Sequence, residues 1–551
     1  MGFVIRRSLP SMSGLLLLLL AVGFAAVAFL GAPIWFPMAF AVAMVGVQFV
    51  VNPWIIRWLI PAAVVDHDAT SYETEHVLGE IVARRCREAG IPLVRLGIVD
   101  DGTPNAFTFG RTQRDAHLWV TRGLLERLDD RELDAVVAHE VGHVKHWDFA
   151  VMTVAAVVPM TLYLVYVISR GSGRNEARAV AIGAYLAYLV SQFTLLALSR
   201  ARELAADHWS CEATGDGDAL ASALVKVAYG MGQADAGRKD RALALQAEGK
   251  EGKREAAKLD RRWRRAQSMR AMGIFEPRQA DALAAAFSSG VDPQRAIAAL
   301  RWDVLNPWGA ALEKLSSHPL VARRIAALDR SGLPGRPRAW SVLANAAVTE
   351  ADPDAVAAVR RRFPQEIVIA VAPWVVLLGM VGFGAFTGSL FSLGLALAVA
   401  GLLFVYKQSV RYPNDFVPVD EVAGLLGRLE AGPVAGIPVE LRGTVIGRGM
   451  PGYVLSPDLV VQDRSGFVPV LYRQPLPFAR ELFGLFRAPQ WFGREVTVSG
   501  WYRRLPGPVL ELRRIEDETG RARSWEWVAR KSVAWLVVVA GLLVMLTGAS
   551  A

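Results

Sequence analysis

Apolar and polar positions are patterned on two scales along this chain. On the long scale, uncharged runs occupy residues 12–56, 149–168, 179–199, 367–406 and 532–551. Crossing a bilayer takes about 20 mostly apolar residues. Run 12–56 is long enough for two spans, broken near Gly31-Ala32-Pro33. Run 367–406 is long enough for two more, turning near Thr387-Gly388-Ser389. Runs 149–168 and 179–199 form a hairpin, and 532–551 makes a final helix, so the pattern predicts about seven spans. A secretory leader cut near Ala26-Val27-Ala28 is the competing reading of the first, but the apolar run continues far beyond a leader's core.

On the short scale, Leu133, Val136, Val137, Val141 and Val144 recur at helical spacing, and Asp129 followed by Glu132 offers a capping box before them. Residues 439–446, 459–463, 467–472, 495–502 and 509–515 are short, often β-branched or aromatic, with a turn at Asp463-Arg464-Ser465-Gly466. Five such strands predict a small barrel of OB type. The expected order is two transmembrane helices (1–56), a first catalytic part (57–148), a transmembrane hairpin (149–199) and a second catalytic part (200–366). A second hairpin (367–406), a β-rich OB-like domain (407–531) and a terminal helix (532–551) follow.

Composition agrees with a multi-pass α-helical membrane protein. Apolar residues make up 53% and charged residues only 21%, against about 25% charged in soluble chains. Disorder, collagen-like repeats and a disulfide scaffold are excluded; the two cysteines, Cys86 and Cys211, read as cytosolic thiols. The net charge of +9 is concentrated in residues 238–270, a helical insertion with 12 basic and five acidic residues, and at span ends. Arg6, Arg7, Arg360, Arg361, Arg362, Lys407, Arg411, Arg530 and Lys531 fall on one side if the spans pair as above. By the positive-inside rule that side is cytoplasmic, at the cell membrane, and holds the large polar segments. There is no nucleic-acid-binding motif, so the basic balance reads as topology and lipid contact.

The chemistry sits in His139-Glu140-Val141-Gly142-His143. On a helix, His139 and His143 project from one face one turn apart and can hold a single Zn²⁺, and Glu140 beside them can take a proton from water. A catalytic zinc needs a third protein ligand. His146 is seven residues from His139, about 10 Å along the axis, too far for one ion. The hairpin instead returns the chain at Ser199-Arg200-Ala201-Arg202-Glu203-Leu204-Ala205-Ala206-Asp207. His143 and Glu203 are expected about 9 and 6 Å from the membrane boundary on paired helices, which makes Glu203 the third ligand. Asp207, one turn on, is placed to orient a ligating histidine.

HExxH, a membrane hairpin and SRxxExxAD together resemble the integral-membrane zinc metalloproteases of the HtpX and CAAX prenyl endopeptidase type, over roughly residues 75–330. Pro104-Asn105-Ala106-Phe107 is similar to that family's NAF motif, and Ser317-His318-Pro319 with Arg324-Ile325 to its HPxxxxRI motif. The resemblance implies a mainly α zincin-type catalytic domain with one Zn²⁺ per chain. It implies that Asn105, Ala106 and Phe107 lie on or near an edge strand that holds an extended peptide, and that His318 and Arg324 stabilise the oxyanion. The expected activity is hydrolysis of peptide bonds in misfolded or damaged membrane proteins. The alternatives are a specific CAAX-type processing protease and, from another class, a membrane scaffold with a structural zinc. Expected partners are polypeptides, the lipid bilayer and a protein partner for the β domain. The last 220 or so residues have no counterpart in short family members.

Overall fold

The structure is a computed structural model that describes residues 35–60, 62–65, 73–171, 175–227, 300–331, 351–448, 457–505 and 507–549. The first expected span and the basic insertion 238–270 lie outside these residues. The described residues fall into two compact units: those between 35 and 227 with 311–331, and 300–310 with 351–549.

The first unit begins with the apolar helix α1 (Trp35–Leu59). A four-stranded sheet and helix α2 (Glu73–Ala89) follow. The strands are β1 (Ala63–Val64), β2 (Arg95–Val99), β3 (Ala106–Phe109) and β4 (His117–Thr121), in the order β1-β2-β4-β3. β2 and β4 are parallel; the outer pairs are antiparallel. Phe107 and Phe109 pack with Trp119, with Ile56 of α1 and with Ile60 just past its end, which joins the sheet to the first helix. Helix α3 (Asp130–Lys145) packs on β3. Helices α4 (Asp148–Gly171) and α5 (Asn175–Thr214) form the hairpin, and α6 (Val321–Ser331) packs on α5. Both cysteines are buried and free.

In the second unit, α7 (Pro353–Thr387) and α8 (Leu390–Arg411) form the other hairpin, and α9 (Glu526–Ala549) packs along α8. The turn falls at the expected place: Gly388 takes the left-handed conformation at φ 67°, and Ser389 caps α8 by accepting from Ser392 N at 3.2 Å. Helix α7 starts at Pro353, upstream of the uncharged run, because Asp352 and Pro353 supply a cap and a first-turn proline. Glycine lets α8 and α9 touch. A Cβ on Gly394 would come within 2.2 Å of Met545 N, and one on Gly541 within 2.3 Å of Ala398 N. Among the described residues, six helices are long and apolar enough to cross a membrane.

The expected barrel is present. β6 (Ile437–Arg448), β7 (Leu459–Gln462), β8 (Phe467–Leu471), β9 (Glu495–Arg504) and β10 (Pro508–Asp517) close on themselves in the order β6-β7-β8-β10-β9. All pairings are antiparallel except β8 with β10. Strand β5 (Val417–Val419) extends it beside β6, and β11 (Gly520–Arg523) beside β10. Val439, Leu441, Val461, Val470, Val498 and Leu512 fill its interior.

Candidate active site

The capping box forms: Asp129 accepts from Glu132 N at 2.9 Å, and Glu132 accepts from Asp129 N at 3.0 Å. It starts α3 in the register that turns His139 and Glu140 inward, and both are buried. The helix does not run straight into the membrane span. It ends at Lys145, and Trp147 takes a left-handed conformation at φ 60°, unusual for a large side chain. This local strain restarts the chain as α4 and returns Asp148 toward α3, where its Oδ2 lies 2.6 Å from His143 Nδ1. His146, at the break, stands apart from the ligand cluster, and burial pushes its pKa down to about 4.

The span and the Glu203 segment belong to one helix of 40 residues, α5. Gly142 allows α3 and α5 to meet: a Cβ there would lie 2.9 Å from the Trp209 ring and 3.2 Å from Ala206 Cα. His139 Nε2 and His143 Nε2 are 3.2 Å apart. Glu203 lies across from them, with Oε2 3.7 Å from the first and Oε1 3.6 Å from the second. Among the described residues, His139, His143 and Glu203 form the group able to hold a metal ion.

The donor set fits a divalent cation. Asp148 sits on His143 Nδ1, and Asp207 Oδ1 lies 2.9 Å from His139 Nδ1. An ionised carboxylate only accepts, so the Nδ1 facing it is the donor and the Nε2 of each ring is left as the acceptor turned inward. Two lone pairs and a carboxylate then converge. Glu203 Oε2 is buried with no hydrogen-bond partner. Buried acceptors facing one another are costly unless a cation lies among them.

Around this cluster, α6 supplies Arg324, fully buried and bidentate on Asp207 at 2.6 and 2.9 Å. Burial alone would lower its pKa, but Asp207 holds the guanidinium above its ordinary value. Its Nη1 is 3.8 Å from Glu203 Oε2. His318 reaches the same oxygen, with Nδ1 at 3.2 Å. The loop before His318 is held by Arg200, which donates to the carbonyls of Glu313, Lys314 and Ser316 at 3.0, 3.3 and 2.7 Å. Arg202 binds the His146 carbonyl and pairs with Asp148. Sequence reasoning missed Asp148, Arg200 and Arg202. The only signal was that both arginines sit within the segment that supplies Glu203. Asn105 immediately precedes β3, and Ala106 and Phe107 lie on it, at the free edge of the sheet and next to α3. Their side chains are buried, so β3 offers main-chain groups.

Fold and site together define a multi-pass helical membrane protein with a buried His-His-Glu cluster able to hold a metal ion. A sequence profile described as Peptidase family M48 matches residues 73–331. A protein described as Protease HtpX homolog from Methanothermobacter thermautotrophicus is 36% identical over 209 residues, 38% of this chain and 79% of that one. Protease HtpX homolog 2 from Methanosarcina acetivorans is 36% identical over 36% of this chain and 68% of its own length. The crystal structure of S. mikatae Ste24p matches at 17% identity and a TM-score of 0.29, over 38% of this chain and 55% of that chain. The chain belongs to peptidase family M48, with the HtpX proteases.

Proposed function

We propose that this chain is a zinc-dependent endopeptidase of the membrane, acting on polypeptides and chiefly on misfolded or damaged membrane proteins. The observation that carries this reading is the convergence of His139, His143 and Glu203 with the nitrogen of each imidazole that faces away held by a carboxylate. These three residues would hold zinc, which when bound supplies Lewis acidity to a scissile carbonyl and to water. Glu140, buried on the same helix, takes the proton of the attacking water and passes it to the leaving amine. Asp207 and Asp148 fix the two histidine rings, and Arg324 in turn neutralises Asp207. Because Arg324 is committed to Asp207, the oxyanion role expected of both residues is better suited to His318, half-buried beside Glu203. The free edge of β3 would hold an extended substrate by main-chain hydrogen bonds. The distribution of basic residues favours a cytoplasmic catalytic side at the cell membrane.

The test is cleavage of an unfolded protein by the full chain in detergent. Glu140→Gln is expected to lose at least about 10²-fold in kcat while keeping its bound metal. Equal cleavage by the variant would overturn the role of Glu140.

A further inference from the structure

A cavity of about 270 Å³ opens in the second unit, well away in sequence from the peptidase motifs. Arg513 and Arg514 of β10 and Arg523 of β11 line it, together with Phe416, Trp525 and Trp527. One carboxylate, Glu440, also lines it and accepts from Ser499 at 3.1 Å. Arg514 pairs with Glu516 at 3.2 Å, both side chains being more than a third exposed. Among the described residues no carboxylate pairs with Arg513 or Arg523. The cavity therefore gathers three guanidinium groups against one carboxylate.

Its position is as informative as its charge. Trp525 and Trp527 bracket the first residue of α9, a helix long and apolar enough to cross a membrane. Phe416 lies five positions beyond the end of α8, which packs along α9. The mouth is thus level with the ends of two paired spans, where tryptophan rings favour the lipid headgroup layer. Arg513 is already ordered there, its Cζ 4.6 Å from the Phe416 ring centroid and 5.3 Å from that of Trp527. Such stacking leaves the guanidinium edges free to donate while removing most of the entropy cost of fixing the side chain. Burial, and then Arg514 and Arg523, depress the Arg513 pKa, a repulsion that a bound anion would relieve. The cavity has room for a lipid headgroup.

We propose that this cavity is a specific site for the phosphodiester headgroup of an anionic glycerophospholipid, bound by Arg513 and Arg523 at the base of α9. A neutral, choline-type headgroup would set its ammonium against three guanidinium groups and is disfavoured.

The experiment uses the full chain in uncharged detergent with equal amounts of phosphatidylglycerol and phosphatidylcholine, read by native mass spectrometry. The parent is expected to retain one phosphatidylglycerol that Arg513→Gln loses, with apparent affinity at least about tenfold weaker in the variant. Arg523→Glu, at an exposed position of the edge strand, guards against a folding defect and is expected to show the same loss with an unchanged melting temperature. Excess inorganic phosphate is expected to leave the lipid in place. Equal phosphatidylglycerol retention by parent and both variants would overturn the proposal. So would an equal fall in phosphatidylcholine, or displacement of the lipid by free phosphate.

Discussion

Both units bury charge, and they do so in opposite ways. In the barrel unit the buried charge at Glu511 is answered. Glu511 accepts from Tyr412 at 2.7 Å and from Arg503 at 3.0 Å, and Arg411 is 3.3 Å away. Arg503 spends its remaining donors on the carbonyls of Val434 and Arg411. In the peptidase unit His139 Nε2, His143 Nε2 and Glu203 Oε1 face one another across a shared space, with His318 and Arg324 only beside Oε2. A buried ionic cluster is therefore weak evidence for function by itself. The useful sign is an unanswered convergence of acceptors whose far sides are carefully answered.

The sharpest way to break this contrast is to remove one charge from each cluster. Arg324→Ala strands Asp207 and Glu511→Ala strands Arg503, and each is expected to cost about 3–5 kcal/mol of stability. Only Arg324→Ala is expected to weaken metal binding as well, which thermal melts paired with metal titration would show. Equal effects on metal would mean that the two clusters are not different in kind.

A smaller effect is expected at Asp148. Asp148→Asn keeps the shape but loses the acceptor charge on His143 Nδ1, and metal affinity is expected to fall about 10–100-fold, measured by competition with a chelator. No change would mean that the turn at Trp147 serves packing alone.

The smallest lies in the barrel. Asp458 accepts from Tyr472 N at 2.9 Å, and burial raises its carboxyl pKa. A raised native value means that the folded state holds a proton the unfolded chain has released. Stability from this group is then present at low pH and lost as pH rises through the native pKa. Asp458→Asn keeps the acceptor without the charge, so it is expected to raise the melting temperature slightly at pH 7 and to flatten its dependence at acid pH. A lower melting temperature at pH 7 would contradict this reading.

What could be read in advance follows from the range of each interaction. The Asp129–Glu132 cap and the facing of His139, Glu140 and His143 are set within one or two turns, so periodicity and spacing reveal them. Glu203 was legible because a membrane hairpin fixes height, turning a separation of some 60 positions into a short distance. Asp148 was hidden: its role depends on a left-handed Trp147, which no helical pattern announces. Arg200 and Arg202 were hidden because their partners, a loop more than 100 positions downstream and a carboxylate across the hairpin, are non-local. In the barrel, alternation located the strands, but the parallel β8–β10 pairing that closes it joins segments with no sequence signal of adjacency.

The central claim concerns three ligands from two helices, and metal content tests it most directly. Elemental analysis of the purified full chain is expected to find one zinc per chain in the parent and almost none in Glu203→Ala, with both proteins folded by circular dichroism. Full zinc occupancy in folded Glu203→Ala, or a parent that retains no metal, would contradict it.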